Sequence, residues 1–93
     1  MTIKFSETAF NALDEISDYI YEKSASKEAT VKYLKQFRRY IIETLQHFPK
    51  AGRSAEELAP NSRKLVYHGY SIIYRISGDQ IEILTLYREN LPK

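Results

Sequence analysis

A chain of 93 residues, 43% hydrophobic and 28% charged, holds one core and has no room for a second, which excludes disordered, collagen-like and coiled-coil classes. The absence of cysteine excludes a disulfide scaffold, a thiol nucleophile and any thiolate-ligated zinc or iron–sulfur site, so no metal or other cofactor is expected. Fourteen Lys and Arg against twelve Asp and Glu leave a net charge of +2, too weak for a dedicated nucleic-acid clamp, and the excess lies wholly in residues 49–93, with seven bases against five acids.

The first segment, Met1-Thr2-Ile3-Lys4-Phe5-Ser6, lacks the layout of a signal peptide, and no stretch approaches the apolar length of a membrane span, so a soluble cytoplasmic protein without membrane contact is expected. Residues 3–5 suit a short edge strand. Ser6 then offers a helix N-cap, with Glu7 placed favourably for the helix dipole. Ala9, Leu13, Ile16 and Ile20 recur at spacings of three and four and form one apolar face, while Asp14, Glu15, Asp18 and Glu22 take the polar side. Small residues at 24–26 break this pattern, and Ser26 followed by Glu28 starts a second helix, so a short link predicts an antiparallel hairpin. The second helix carries Leu34, Phe37, Ile41, Leu45 and Phe48 on its apolar stripe and Lys27, Lys32, Lys35, Arg38 and Arg39 elsewhere; Pro49 ends it. Residues 50–61 read as a loop with one helical turn around residues 56–58.

From Arg63 onward β-branched and aromatic residues replace the helical period, and three strands fit the tail, with reversals at Gly69 and at Gly78-Asp79. The predicted order is β-α-α-β-β-β: an α+β domain spanning residues 1–93, with an N-terminal strand, an antiparallel helical hairpin and a three-stranded antiparallel sheet. If Ser77 faces Gln80, an unbroken register sets Arg75 against Glu82, Ile73 against Leu84, Ser71 against Leu86 and Tyr70 against Tyr87. Tyr70, Ile72, Tyr74, Ile76, Ile81, Ile83, Thr85 and Tyr87 then share the face under the helices. The opposite face carries Ser71, Arg75, Glu82 and Arg88 among Ile73, Leu84 and Leu86, a mixed apolar and basic surface suited to binding; a slip of one residue would exchange the two faces.

The order of elements, Pro49-Lys50-Ala51-Gly52-Arg53 after the second helix, Arg63 opening a strand, and the Tyr70-Ser71-Ile72-Ile73-Tyr74-Arg75 strand followed by Ile81-Glu82-Ile83-Leu84 together resemble the ParE branch of the ParE/RelE toxin superfamily over essentially the whole chain. The resemblance implies a type II toxin that inhibits DNA gyrase and is neutralised by a ParD-like antitoxin whose disordered tail folds along the domain. It also admits two alternatives, a RelE-like ribosome-dependent mRNA endonuclease and a relative that only binds an antitoxin, because the branches share the fold. Metal-free RNA cleavage requires a base, an acid and cations around the reacting phosphate. RelE-like chains place Arg where Ser71 stands, and their basic, aromatic C-terminal cluster is reduced here to Tyr87-Arg88, so a binding toxin without catalysis is favoured. ParE-like chains often carry His where Tyr87 stands, a departure that a phenol fills if the position is structural.

No catalytic residue is therefore assigned, and the candidates for partner or target contact are Arg53, Arg63, Lys64, Arg75 and Arg88. Each has a plainer role to weigh: Arg53 as a tie from its loop to a carboxylate or helix end, Arg63 and Lys64 as edge charges, and Arg75 as a cross-strand partner of Glu82. For the endonuclease alternative the phosphate and proton-transfer roles fall on Arg53, Arg63, Arg75, Tyr87 or Arg88. His47 and His68 stand alone in sequence and read as structural, as do the tyrosines, which the pattern places at the core or its rim.

Overall fold

Ser6 makes the first commitment of the chain. In the computed structural model, which describes residues 1–89, its hydroxyl accepts a hydrogen bond from the Ala9 amide at 3.0 Å and starts α1 (Glu7–Ser24). The helix stops where Ala25 turns left-handed (φ 53°) and its amide reaches back to Tyr21 O, and Ser26 at once caps α2 (Lys27–His47) through the Ala29 amide. Two residues of link permit only the antiparallel hairpin that the pattern predicts. Phe48 departs from its predicted place on the apolar stripe. It lies beyond the last helical turn as the C-cap, in non-helical backbone ahead of Pro49, and is 67% exposed.

The hairpin lies on one face of a sheet built from β1 (Thr2–Phe5), β2 (Arg53–Ser54), β3 (Ser62–Tyr67), β4 (Tyr70–Ser77) and β5 (Gln80–Arg88). Five strands in the order β1-β5-β4-β3-β2 replace the expected three. The predicted N-terminal strand exists and closes the sheet by parallel pairing with β5, Thr2 opposite Gln80 through Phe5 opposite Ile83, the helical hairpin serving as the long crossover that parallel pairing requires. Ser6 secures the junction by donating its hydroxyl to Leu84 O at 2.7 Å. At the other edge β2 adds two residues to β3, and the predicted helical turn is a set of tight turns over residues 55–59. Ala9, Leu13 and Ile16 of α1 and Phe37, Ile41 and Leu45 of α2 bury against Phe5, Leu65, Ile72, Tyr74, Ile81, Ile83 and Leu86 of the sheet. Among the described residues no helix is long and apolar enough to cross a membrane.

The β4–β5 register follows the expectation for Ser77 through Tyr74, with Arg75 opposite Glu82, and then slips by one residue between Tyr74 and Ile73. Leu84 is the extra residue of this bulge, so Ile73 faces Thr85, Ile72 faces Leu86, Ser71 faces Tyr87 and Tyr70 faces Arg88. The slip corrects the predicted faces beyond it. Leu86 enters the core in place of Thr85, Tyr87 moves to the side without helices, and Arg88 moves under α1. Both hairpins turn at the predicted glycines: Gly78 supplies a φ of 62°, and between β3 and β4 both His68 (φ 47°) and Gly69 (φ 85°) are left-handed, as a primed two-residue turn demands.

Candidate functional site

The side of the sheet that the helices leave uncovered is organised in rows set by register. Lys4, Glu82, Arg75 and Ser62 form one row, Thr85, Ile73, Lys64 and Arg53 a second, and Tyr87, Ser71 and Val66 a third. Three of the five predicted contact residues, Arg53, Lys64 and Arg75, therefore share this face. Arg63, one residue from Lys64, points to the opposite side, where its Nε donates to Gly52 O at 2.8 Å and its Nη2 to Lys50 O at 3.4 Å. Arg63 thus ties down the loop, the structural role weighed above for Arg53. Arg88 also leaves the face, because the bulge turns its guanidinium onto the ring of Tyr19, 4.3 Å from the centroid.

The loop that carries Arg53 is fixed from beneath by Tyr74. This fully buried phenol donates to Pro49 O at 2.7 Å and accepts from the Gly52 amide at 3.0 Å, while Ser62 Oγ donates to Ala55 O and Ala59 O, both at 2.8 Å. The Pro-x-x-Gly-Arg segment is thereby pressed onto β3 and β4 at two points, and Arg53 stands beside Lys64. Replacing Tyr74 with Phe leaves a buried amide and carbonyl without their partner, and the expected loss is about 1–3 kcal/mol in chemical denaturation. A loss near zero would show that the loop is held elsewhere.

Each of the three predicted contact residues on the face has a carboxylate beside it. Arg75 Nη2 lies 3.8 Å from Glu82 Oε1, as the register predicted, and Arg53 Nη1 lies 3.1 Å from Glu57 Oε2. Lys64 Nζ sits 2.6 Å from Glu89 Oε1 and 5.9 Å from the Tyr87 ring, and Ser71 Oγ donates to the same carboxylate oxygen at 2.7 Å. The hydrogen bond from Lys64, followed by that from Ser71, holds the Glu89 carboxyl below its ordinary pKa, and the same bond raises that of Lys64. A depressed carboxyl stabilises the fold above its ordinary pKa and ceases to do so as pH falls through the folded value; the raised Lys64 contributes until pH rises through its own folded value. Urea denaturation between about pH 7 and pH 3 should accordingly show a smaller acid-side loss in Glu89→Gln than in the parent, since only the parent has this carboxylate to protonate.

Sequence reasoning missed Tyr74 as the anchor of the loop and Glu89 as the partner of Lys64. A tyrosine among aliphatic residues on a core face is the one available signal for the first, since a buried hydroxyl demands partners. The second rests on two successive strand registers and has no local signal. On the face itself Arg53, Lys64 and Arg75 are paired with carboxylates, and neither imidazole lies there: His47 donates from Nδ1 to Glu43 O at the end of α2, and His68 sits in the β3–β4 turn.

Comparison with known proteins identifies the family and matches the fold. A profile described as "ParE toxin of type II toxin-antitoxin system, parDE" matches residues 3–90. Curated proteins named Toxin ParE1 from two strains of Mycobacterium tuberculosis are 30% identical over 67 residues, which is 72% of this chain and 66% of theirs, so the match spans just under two thirds of the relatives' length. A solved structure, "Chromosomal ParDE TA system from P. aeruginosa", superposes with a TM-score of 0.77 at 25% identity, covering 97% of both chains. With the family profile running from the first strand through the end of the last, this chain belongs to the ParE toxin family of type II toxin-antitoxin systems.

Proposed function

We propose that the domain is a cytoplasmic toxin that acts by binding: it inhibits DNA gyrase by holding the enzyme's cleaved-DNA state and is neutralised by a ParD-like antitoxin. The observation that carries this reading is the compensation of the uncovered face. Arg53, Lys64 and Arg75 are each engaged by a carboxylate, and no imidazole stands among them, which suits a protein surface rather than a site that cleaves a phosphodiester. Family membership and the likeness to a ParDE system support the antitoxin partner.

The test incubates antitoxin-free protein with gyrase, ATP and supercoiled plasmid, followed by detergent and protease. Linear plasmid is the expected product. Charge reversal of Arg53, Lys64 and Arg75 together should reduce it by roughly 10–100-fold if the uncovered face meets the enzyme. Folded protein that yields no linear plasmid but arrests translation on ribosomes would transfer the reading to the mRNA endonuclease.

A further inference from the structure

Beyond the uncovered face, the helical side carries a second set of cations at the tip of the hairpin. The last turn of α1, the first turns of α2 and the β3–β4 turn enclose an open cleft of about 370 Å³ lined by Tyr19, Lys23, Tyr33, His68, Tyr70 and Arg88. Lys23 Nζ and Arg88 Cζ lie 5.5 and 4.3 Å from the centroid of the Tyr19 ring, so one aromatic side chain is flanked by two positive charges. Neither cation forms an ion pair with a carboxylate of the described residues, in contrast to Arg53, Lys64 and Arg75; Glu15 lines the adjoining groove without engaging Arg88. We propose that this cleft is a phosphate-binding site, with Lys23 and Arg88 neutralising a phosphomonoester, tyrosine hydroxyls and the His68 imidazole donating to its oxygens, and the phenol rings flanking the group attached to it.

Charge selects the ligand class. Two cations without a carboxylate partner among the described residues match a dianion, and a phosphomonoester carries about −1.5 to −2 at neutral pH, whereas a carboxylate or a phosphodiester supplies one negative charge and leaves a cation uncompensated. The tyrosines are suited to donate. A phenol is protonated at neutral pH, and burial shifts Tyr33 and Tyr70 further in the same direction. His68 stands on the rim of the same cleft. The β3–β4 turn holds it there with a φ of 47°, edge-on to Tyr67 at 4.4 Å between centroids, so the imidazole borders the space between Lys23 and Arg88.

The proposal is independent of the gyrase reading, because its test uses the toxin domain alone. Isotope-labelled protein is titrated with inorganic phosphate, with adenosine 5′-monophosphate, and with a short single-stranded oligonucleotide carrying or lacking a 5′-phosphate, while amide shifts and calorimetry report binding. Saturable shifts at residues 19, 23, 33, 68–70 and 88 are expected with phosphate and with the nucleotide. Lys23→Gln and Arg88→Gln should each weaken binding about tenfold, and Lys35→Gln, on the outer side of α2, should leave it unchanged. Circular dichroism confirms that each variant is folded, and Lys23, an exposed residue, carries the conclusion if Arg88→Gln is not. Tighter binding of the nucleotide than of the phosphorylated oligonucleotide identifies a free metabolite as the source, and the reverse order identifies a strand end. The proposal is overturned if phosphate at about 10 mM leaves the cleft amides unmoved, if Lys23→Gln binds as the parent does, if Lys35→Gln weakens binding equally, or if the oligonucleotide lacking a 5′-phosphate binds the cleft as tightly as the nucleotide does.

Discussion

Replacing Gly52 with Ala is expected to destabilise the domain by about 2–3 kcal/mol, lowering Tm by roughly 10–20 °C for a chain of this size. The reason is space rather than backbone conformation. A Cβ at this position would lie 2.7 Å from Lys64 O, 2.8 Å from Lys64 C and 2.9 Å from Tyr74 Cε1. The first two atoms are backbone held in the β3 ladder, and the third belongs to a fully buried ring that also accepts the Gly52 amide, so nothing nearby yields without cost. The segment must lift from the sheet, and the Tyr74 and Arg63 hydrogen bonds to it lengthen together. Differential scanning calorimetry of the Ala variant checks the result. An unchanged Tm would mean that the loop is not seated as described. A variant that stays folded at low temperature should still lose linear plasmid in the gyrase assay, because Arg53 moves with the loop.

Phe37→Ala should cost more, about 3–5 kcal/mol, against a total stability of about 5–14 kcal/mol for a domain of this length. Phe37 is fully buried and is the hub of the aromatic cluster, its centroid 5.2 Å from that of Tyr67, 5.3 Å from Tyr70 and 6.3 Å from Tyr33. Rings do not flow into a cavity as aliphatic chains do, so the space left behind persists and the neighbours lose dispersion contacts outright. The expected signature is a lower urea midpoint with little change in m-value. A loss below about 2 kcal/mol would indicate that the tyrosines close the gap. Tyr33 and Tyr70 also line the cleft at the hairpin tip, so the same substitution should loosen it.

The helical half of the fold was legible because its signals are local. Ser6 and Ser26 cap where the sequence places them, the spacing of Ala9, Leu13 and Ile16 names the buried face, and Gly78-Asp79 fixes the last hairpin with Ser77 opposite Gln80. The bulge at Leu84 defeats a rule that counts outward from that hairpin, since nothing in an unbroken alternation marks an extra residue, and one inserted residue exchanges the sides of Tyr87 and Arg88. The parallel closure of β1 on β5 was invisible for a different reason: it joins segments some 78 residues apart, and four residues of strand do not name their neighbour. The candidate face was legible for Arg75 with Glu82, which the hairpin register pairs directly. It was not legible for Lys64 with Glu89, which meet only after two registers and a bulge have been set.

That closure also orders the folding of the chain in time. The strand at residues 2–5 is synthesised well before the strand at residues 80–88 with which it pairs, so through elongation at roughly 5–20 residues per second it waits without that partner while the residues between them are made. The helical hairpin, whose contacts are local, is free to form early, but its apolar face has no sheet to bury against until β4 and β5 arrive. The loop-closure entropy of the β1–β5 pairing falls on the final step, which predicts that this pairing has its native contacts made after the folding barrier, with a φ-value near zero for Ile3→Ala, opposite Ile81.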